Sequence, residues 1–331
     1  MEGAGKTMNR KLKVLTLCAM LFALCQFAEA QQPGKAHRIG YLNEGPFEKL
    51  REEAFRQGLR ELGYEEGKNI VIEWRYGRGK PDPASASELV RLKVDLIVTA
   101  GGGSTRSAKK ATSTIPIVMT QDTDPVRNGF VISLARPGGN ITGLSRLAPE
   151  LSGKQVELLK EIIPGISRLA VLKSADLPAI VEALRKIGLA TGALGLKLQL
   201  LDVRGPKDIE SAFRAATEER ADAALMLMGG PVLNPNRTQI LELAVKSRLP
   251  VIYRNREDVE AGGLICYGVN LPDLDRRAAV YVDKILKGAE PADLPVEQPT
   301  KFEFIINLKA AKQIDLAIPP NVLARADRVI K

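Results

Sequence analysis

From about residue 38 the chain alternates short runs of β-branched and aliphatic residues with longer stretches whose apolar positions recur every three or four residues. Arg38–Leu42 reads as a strand, and Phe47, Leu50, Ala54, Phe55, Leu59 and Leu62 form a helical stripe that Gly63 ends. The pattern predicts strands over 69–74, 95–100 and 116–120, with helices over 85–92 and 104–111 between them. It then restarts. Helices over 151–163, 179–194, 208–219 and 237–246 alternate with strands over 168–173, 197–203, 223–228 and 251–253. A helix over 271–286, a passage carrying Pro291, Pro295 and Pro299, and a strand over 302–306 follow. Strands apolar on both faces, separated by helices, predict parallel sheets covered by helices.

The two halves echo one another. Val94-Asp95, an apolar run, Gly101-Gly102-Gly103, a helix and Ile115-Pro116-Ile-Val precede polar Gln121-Asp122. Ala221-Asp222, an apolar run, Gly229-Gly230, a helix and Leu249-Pro250-Val-Ile precede polar Arg254-Asn255. The fold class is therefore α/β, with two similar doubly wound, Rossmann-like parallel-sheet lobes and a ligand cleft between them. In such sheets ligands sit beyond the carboxyl ends of the strands.

The length of 331 residues suits about two domains. Residues 1–30 carry the marks of a cleaved signal peptide: Arg10, Lys11 and Lys13, an apolar Val14–Phe27, and Ala28-Glu29-Ala30 as the small-x-small site. Cleavage near Ala30 implies an exported, periplasmic chain. The net charge of +9 then becomes +7, and Cys266 is the one cysteine left, read as buried and inert. The single histidine, His37, lies ahead of the periodic pattern, which argues against a Ser-His-Asp triad, most zinc sites and an enzyme in general. Basic residues are interspersed with acidic ones, so no nucleic-acid partner is expected.

Candidate binding residues follow the strand ends. Gly102, Gly103, Ser104 and Thr105 open a helix whose N–H groups and positive dipole end suit a carboxylate, although a glycine turn with Ser104 as cap explains the same residues. No P-loop lysine and no G-x-G-x-x-G occurs, and no cofactor is expected. Gln121 and Asp124 lie after another strand. Asp124 is preferred over Asp122 as partner for an ammonium, against an Asx-turn before Pro125. Asn43, Glu44 and Gly45 are similarly placed, Glu44 as a second ammonium or hydroxyl contact. In the second half Lys173-Ser174, Gly229-Gly230-Pro231, Tyr253-Arg254-Asn255 and Tyr267 occupy matching positions, with Tyr253 or Tyr267 able to stack on a ring. Arg78-Gly-Lys80 and Arg276-Arg277 read as solvated faces.

Several longer motifs carry a family resemblance. They are Phe55-Arg-Gln-Gly-Leu-Arg-Glu-Leu-Gly-Tyr64, Asp95-Leu-Ile-Val-Thr-Ala-Gly101 and Ser133-Leu-Ala-Arg-Pro-Gly-Gly-Asn-Ile-Thr-Gly143. Val259-Glu-Ala-Gly-Gly263, Arg277-Ala-Ala-Val-Tyr-Val-Asp-Lys-Ile-Leu-Lys-Gly288 and Pro291-Ala-Asp-Leu-Pro-Val-Glu-Gln-Pro-Thr-Lys-Phe-Glu303 continue it. Over residues 38–331 the chain resembles ABC transporter substrate-binding proteins of the type I periplasmic-binding protein fold, in the subfamily of tryptophan/tyrosine-type binders. The resemblance implies lobe one over 38–145 plus 272–300, lobe two over 146–271 plus 301–331, and three hinge crossings. It implies a monomer that captures a small-molecule solute, an amino acid or related carboxylate, and delivers it to an ABC permease with a cytoplasmic ATPase. An exported sensor subunit docking on a receptor kinase is the alternative. The family's site positions map to 43–45, 102–105, 121–124, 229–231, 253–255 and Tyr267. The chain departs from common members at Gln121, Asp122, Arg127, Val269 and Leu227-Met-Gly-Gly-Pro231.

Overall fold

A computed structural model of the chain describes residues 36–45, 47–77, 82–146, 149–174, 178–227, 230–233 and 235–331. The leader, Gly229 and Arg78–Lys80 lie outside these residues. The first half lays down β1 (His37–Asn43), α1 (Lys49–Glu61), β2 (Ile70–Tyr76), α2 (Pro83–Arg91), β3 (Leu96–Ala100), α3 (Gly102–Ala111), β4 (Ile117–Asp122) and β5 (Ile141–Ser145). Its sheet runs β2-β1-β3-β4-β5 and is parallel throughout. Every residue of β3 is buried, as a central strand covered on both faces requires.

The second half contributes α4 (Pro149–Ile162), β6 (Arg168–Ser174), α5 (Pro178–Ala193), β7 (Lys197–Val203), α6 (Pro206–Glu218), β8 (Ala223–Met226) and α7 (Gly230–Leu233). It continues through α8 (Arg237–Lys246), β9 (Val251–Tyr253), α9 (Arg256–Glu260), β10 (Ile265–Val269) and α10 (Leu271–Leu286). After a short 3-10 turn at Pro291–Asp293 come β11 (Phe302–Asn307), α11 (Leu308–Gln313), α12 (Pro320–Leu323) and β12 (Arg328–Ile330). The second sheet runs β12-β11-β10-β9-β8-β6-β7.

Two sheets with helices on both faces match the expected architecture, with one correction: β11 pairs antiparallel to β10. The cause is the path of the chain. β10 leads out of the second sheet into α10, and β11 leads back in, so the neighbours run opposite ways. Asn270 N–H donates to the Lys301 carbonyl at 3.1 Å, tying the outgoing and returning strands together. Strands β5, β10 and β12 were not expected. In β5, Gly143 at φ +125° interrupts the β-branched pattern, because a side chain there would overlap the Met119 backbone. His37 belongs to β1, 3.7 Å from Asp95, and does not precede the fold. Helix α2 starts two residues early, where Asp82 accepts from Ala84 N–H and Ser85 N–H at 3.0 and 3.2 Å. Such a cap contributes about 1 kcal/mol.

Although α10 follows the second sheet in sequence, it packs on the first. Leu271, Leu274, Ala278 and Val282 join Phe55, Leu59, Ile39 and Val98 in one apolar core. Residues 294–297 then run along the same half, where Val296 N–H donates to Leu134 O at 2.7 Å and Ser145 N–H to Glu297 O at 2.8 Å. Helices α1 and α10 meet at Gly58, where a methyl group would overlap the carbonyl of Arg276. Gly58→Ala is expected to force the helices apart and cost about 1–3 kcal/mol, despite alanine's better helix propensity. Urea melts would measure it; a stabilised variant would mean that this contact yields freely.

Candidate functional site

The ends of β1, β3 and β4 bring Glu44, Gly101–Gly103 and Asp122 together. Gly101 sits at φ +104°, a backbone open to glycine, and α3 has no side-chain cap of its own. Glu44 supplies one from the β1–α1 connection: its Oε2 accepts from Gly103 N–H at 2.8 Å. A Cβ on Gly101 would lie 2.6 Å from the Glu44 carboxyl, and one on Gly102 would lie 2.8 Å from Asp122 Oδ2. The glycines thus clear room for two of the protein's own carboxylates. The start of α3, where a ligand carboxylate was expected, is here capped by Glu44. Thr105 is fully buried, its Oγ1 2.8 Å from Thr99 Oγ1 and 3.1 Å from Gly101 O, and Ser104 is buried as well.

Asp122 ends β4 beside these residues. Its Oδ1 accepts from Asp124 N–H at 2.9 Å and Asn128 Nδ2 at 2.8 Å, while its buried Oδ2 has no hydrogen-bond partner. Burial pushes its carboxyl up to about 6, and the charges of Asp124 and Glu44 add to this against the two hydrogen bonds. Burial also raises the Glu44 carboxyl, offset in part by the Gly103 and Ser104 amides. Asp124 makes the turn: its Oδ1 accepts from Arg127 N–H at 3.0 Å and its Oδ2 lies 3.4 Å from Arg127 Nε. Asn43 is buried at the end of β1, its Oδ1 accepting from Gly45 N–H at 2.9 Å.

Gln121 and Asn255, from different sheets, are joined by a residue the sequence reading passed over. Arg146, directly after β5, directs Nη1 to Gln121 Oε1 at 3.4 Å and Nη2 to Asn255 Oδ1 at 3.1 Å. On its other side Gln121 faces Arg51. With the amide turned, its oxygen leaves Arg146 and accepts from Arg51 instead, at 2.9 and 2.8 Å, so it serves one guanidinium at a time. Arg51 is itself buried and held by Asp275 through Nε and Nη2 at 2.6 and 3.1 Å. Burial lowers the Arg146 guanidinium and Arg51 repels it, while Glu257, Glu48 and Glu44 favour its charge. Arg254 ends β9 with Nη1 donating to Leu227 O at 3.1 Å. Burial, then Arg146, pushes it down to about 10.

The aromatic candidates land elsewhere. Tyr253 is 1% exposed and packs with Val251, Leu241 and Val259 in the core of the second half, because β9 alternation turns it with Val251 toward α8. Tyr267 is half-buried between the two cores, against Phe302 and Phe304, and its carbonyl accepts from Gln155 Nε2 at 2.7 Å. The open aromatic surface is Phe47, 57% exposed and edge-on to Tyr76 at 6.1 Å, which in turn stacks on Trp74. Gly230 heads α7. Cys266 is buried, and burial raises its thiol. Among the described residues, no helix is long and apolar enough to cross a membrane.

The native Asp122 carboxyl titrates above the unfolded value of about 3.9, so the folded state binds the extra proton between about pH 4 and 6. The resulting penalty is full above pH 6 and absent below pH 4. Asp122→Asn is therefore expected to raise stability at pH 7.5 by up to about 3 kcal/mol, with the gap to wild type closing toward pH 4. Paired thermal melts across that range check it; a gap that does not vary with pH would contradict it.

Residues 42–330 match the sequence model of the ABC transporter substrate binding protein family. The chain is 27% identical over 294 residues to a tyrosine-binding protein of Clostridioides difficile, covering 84% of this chain and 80% of that one. Among solved structures, a conserved domain protein from Vibrio cholerae superposes with a TM-score of 0.80 at 30% identity, covering 89% of this chain and all of that one. An ABC domain in complex with L-Trp from Streptococcus pneumoniae gives 0.80 at 26% identity over the same shares. With nearly its whole described length matched and the two-lobe type I periplasmic-binding fold in place, the chain belongs to the ABC transporter substrate-binding proteins.

Proposed function

We propose that the protein is the extracytoplasmic, solute-capturing component of an ABC importer, taking up an amino acid or related carboxylate and delivering it to a permease. The observation that carries this reading is the polar line Gln121–Arg146–Asn255. It joins the strand ends of both sheets and is flanked by Glu44, Asp122, Glu48 and Glu257. A cleft with both signs of charge suits a zwitterion. Lobe one comprises 38–145 and 272–300, lobe two 146–271 and 301–331, and the three crossings between them, at 145–146, 271–272 and 300–301, act as hinges. The ligand contacts both lobes, favours the closed state by its extra contacts there, and the permease reads that state. The protein acts as a monomer and performs no chemistry on its solute.

The tyrosine-binding relative and the L-Trp-bound structure support an aromatic amino acid as ligand. Phe47 and Tyr76 offer the ring surface, since Tyr253 is committed to the core. Glu44 and Asp122 supply negative charge for the ammonium group.

Thermal-shift measurements with L-tryptophan, L-tyrosine, the other amino acids, aromatic acids, sugars and nucleosides test this. A ligand at about 100 times its Kd stabilises by about 2.7 kcal/mol, a shift of several degrees for a protein of this size. An amino acid is expected to produce it. A shift from sugars or nucleosides with none from any amino acid or carboxylate would overturn the ligand class.

A further inference from the structure

Several buried or half-buried arginines lie against carboxylates. Arg51 lies against Asp275 at 2.6 Å, Arg237 against Asp258 at 2.6 Å, and Arg256 against Glu303 at 2.8 Å. Arg146 and Arg254 differ from these. Neither has a carboxylate within ion-pair distance among the described residues. Arg146 is held only by the neutral side chains of Gln121 and Asn255, and Arg254 only by the Leu227 carbonyl. A guanidinium carries five N–H donors, so among the described residues each retains donors without a partner. No acidic side chain offsets the charge of Arg254, and Arg146 repels it. Glu257, Glu48 and Glu44 favour the Arg146 charge from beyond ion-pair distance, and two like charges in partly buried positions repel less once an anion joins them.

Their placement fits a ligand site. Arg254 ends β9 and reaches the end of β8, the carboxyl edge of the second sheet; Arg146 leaves β5 at the same edge of the first. The competing anion seat, the start of α3, is filled by Glu44. We infer that Arg146 and Arg254 together form the anion seat of the cleft and take the carboxylate of the bound solute. This rests on the reading of the protein as a receptor for carboxylate solutes and adds which residues hold the charge. The planar guanidiniums present paired donors that match the two carboxylate oxygens. One residue stands at the crossing and the other in lobe two, so a carboxylate between them replaces repulsion with a bridge and favours the closed state.

Isothermal titration calorimetry on the full exported chain tests this, with wild type, Arg254→Gln and Arg146→Gln titrated with L-tryptophan, L-tyrosine, tryptamine and tyramine. Wild type is expected to bind the amino acids at least about 10–100-fold more tightly than the decarboxylated amines, the range a charge-assisted hydrogen-bond pair supplies. Each variant is expected to lose a similar factor for the amino acids and to discriminate against the amines less. Melts of the unliganded variants, matching or exceeding wild type because repulsion is relieved, show that the loss is not misfolding. Variants that bind L-tryptophan or L-tyrosine as wild type does, with discrimination intact, would overturn the arginine seat while leaving the receptor reading standing. Wild-type protein that binds the amines as tightly as the amino acids would overturn it too. Wild-type protein that binds none of the four while a sugar or nucleoside binds would remove the carboxylate reading and the seat with it.

Discussion

The buried ion pair between Arg51 and Asp275 fixes the geometry on which the cleft depends. The two residues lie 224 positions apart, on α1 and α10, and join the start of the first sheet's helical layer to the helix that returns from the second. Asp275 accepts from Arg51 Nε and Nη2, and the Tyr41 hydroxyl lies 3.4 Å from the same carboxylate. So held, Arg51 presents its remaining edge to Gln121. The Gln121 amide oxygen lies between Arg51 and Arg146 and accepts from one or the other, while Asn255, from the second sheet, accepts from Arg146 in either case. A buried pair of this kind adds little net stability compared with an apolar replacement, whereas losing one partner leaves a charge stranded. Its value here is orientation: it sets where a chain of donors and acceptors ends.

The glycine-rich start of α3 shows the same economy in reverse. A run of three glycines before Ser104 and Thr105 invites a ligand anion, and the protein fills that seat itself with Glu44. Asp122 crowds in beside it with one oxygen unpaired. The acids therefore gather at the ends of β1 and β4, and the unpaired guanidiniums gather after β5 and β9. On the proposed reading, this separation of charge gives the cleft an electrical direction suited to orienting a zwitterion.

Much of this was legible in the sequence where a pattern repeats. The alternation of apolar runs and stripes placed the central strands and long helices, and the strand-end rule led to Asn43, Glu44, Gln121 and Asn255, which the structure places at or just beyond strand ends. It failed where glycine or brevity broke the pattern. Gly143 hid β5, and Arg146, which a recognised strand end would have singled out, was hidden with it. Arg51 and Asp275 left a different signal, a charge on the apolar stripe of each of two helices, visible only once the helices are known to face one another. Tyr253 misled because a three-residue strand gives no way to tell which of its faces is the cleft. Asp122 and Asp124 differ in role through hydrogen bonds formed in the folded turn, which spacing cannot rank.

Closure needs a difference in free energy between open and closed states, and the ligand must supply it through contacts that exist in only one. Contacts confined to one lobe bind without closing. The acids Glu44 and Asp122 belong to the first sheet and its loops, so an ammonium there engages lobe one in either state. If Arg146 at the crossing and Arg254 in lobe two form the proposed anion seat, a carboxylate between them bridges the two lobes. The carboxylate end of a solute is thus the part that can report occupancy to the second lobe. The ammonium and ring ends decide which solute is held long enough to do so.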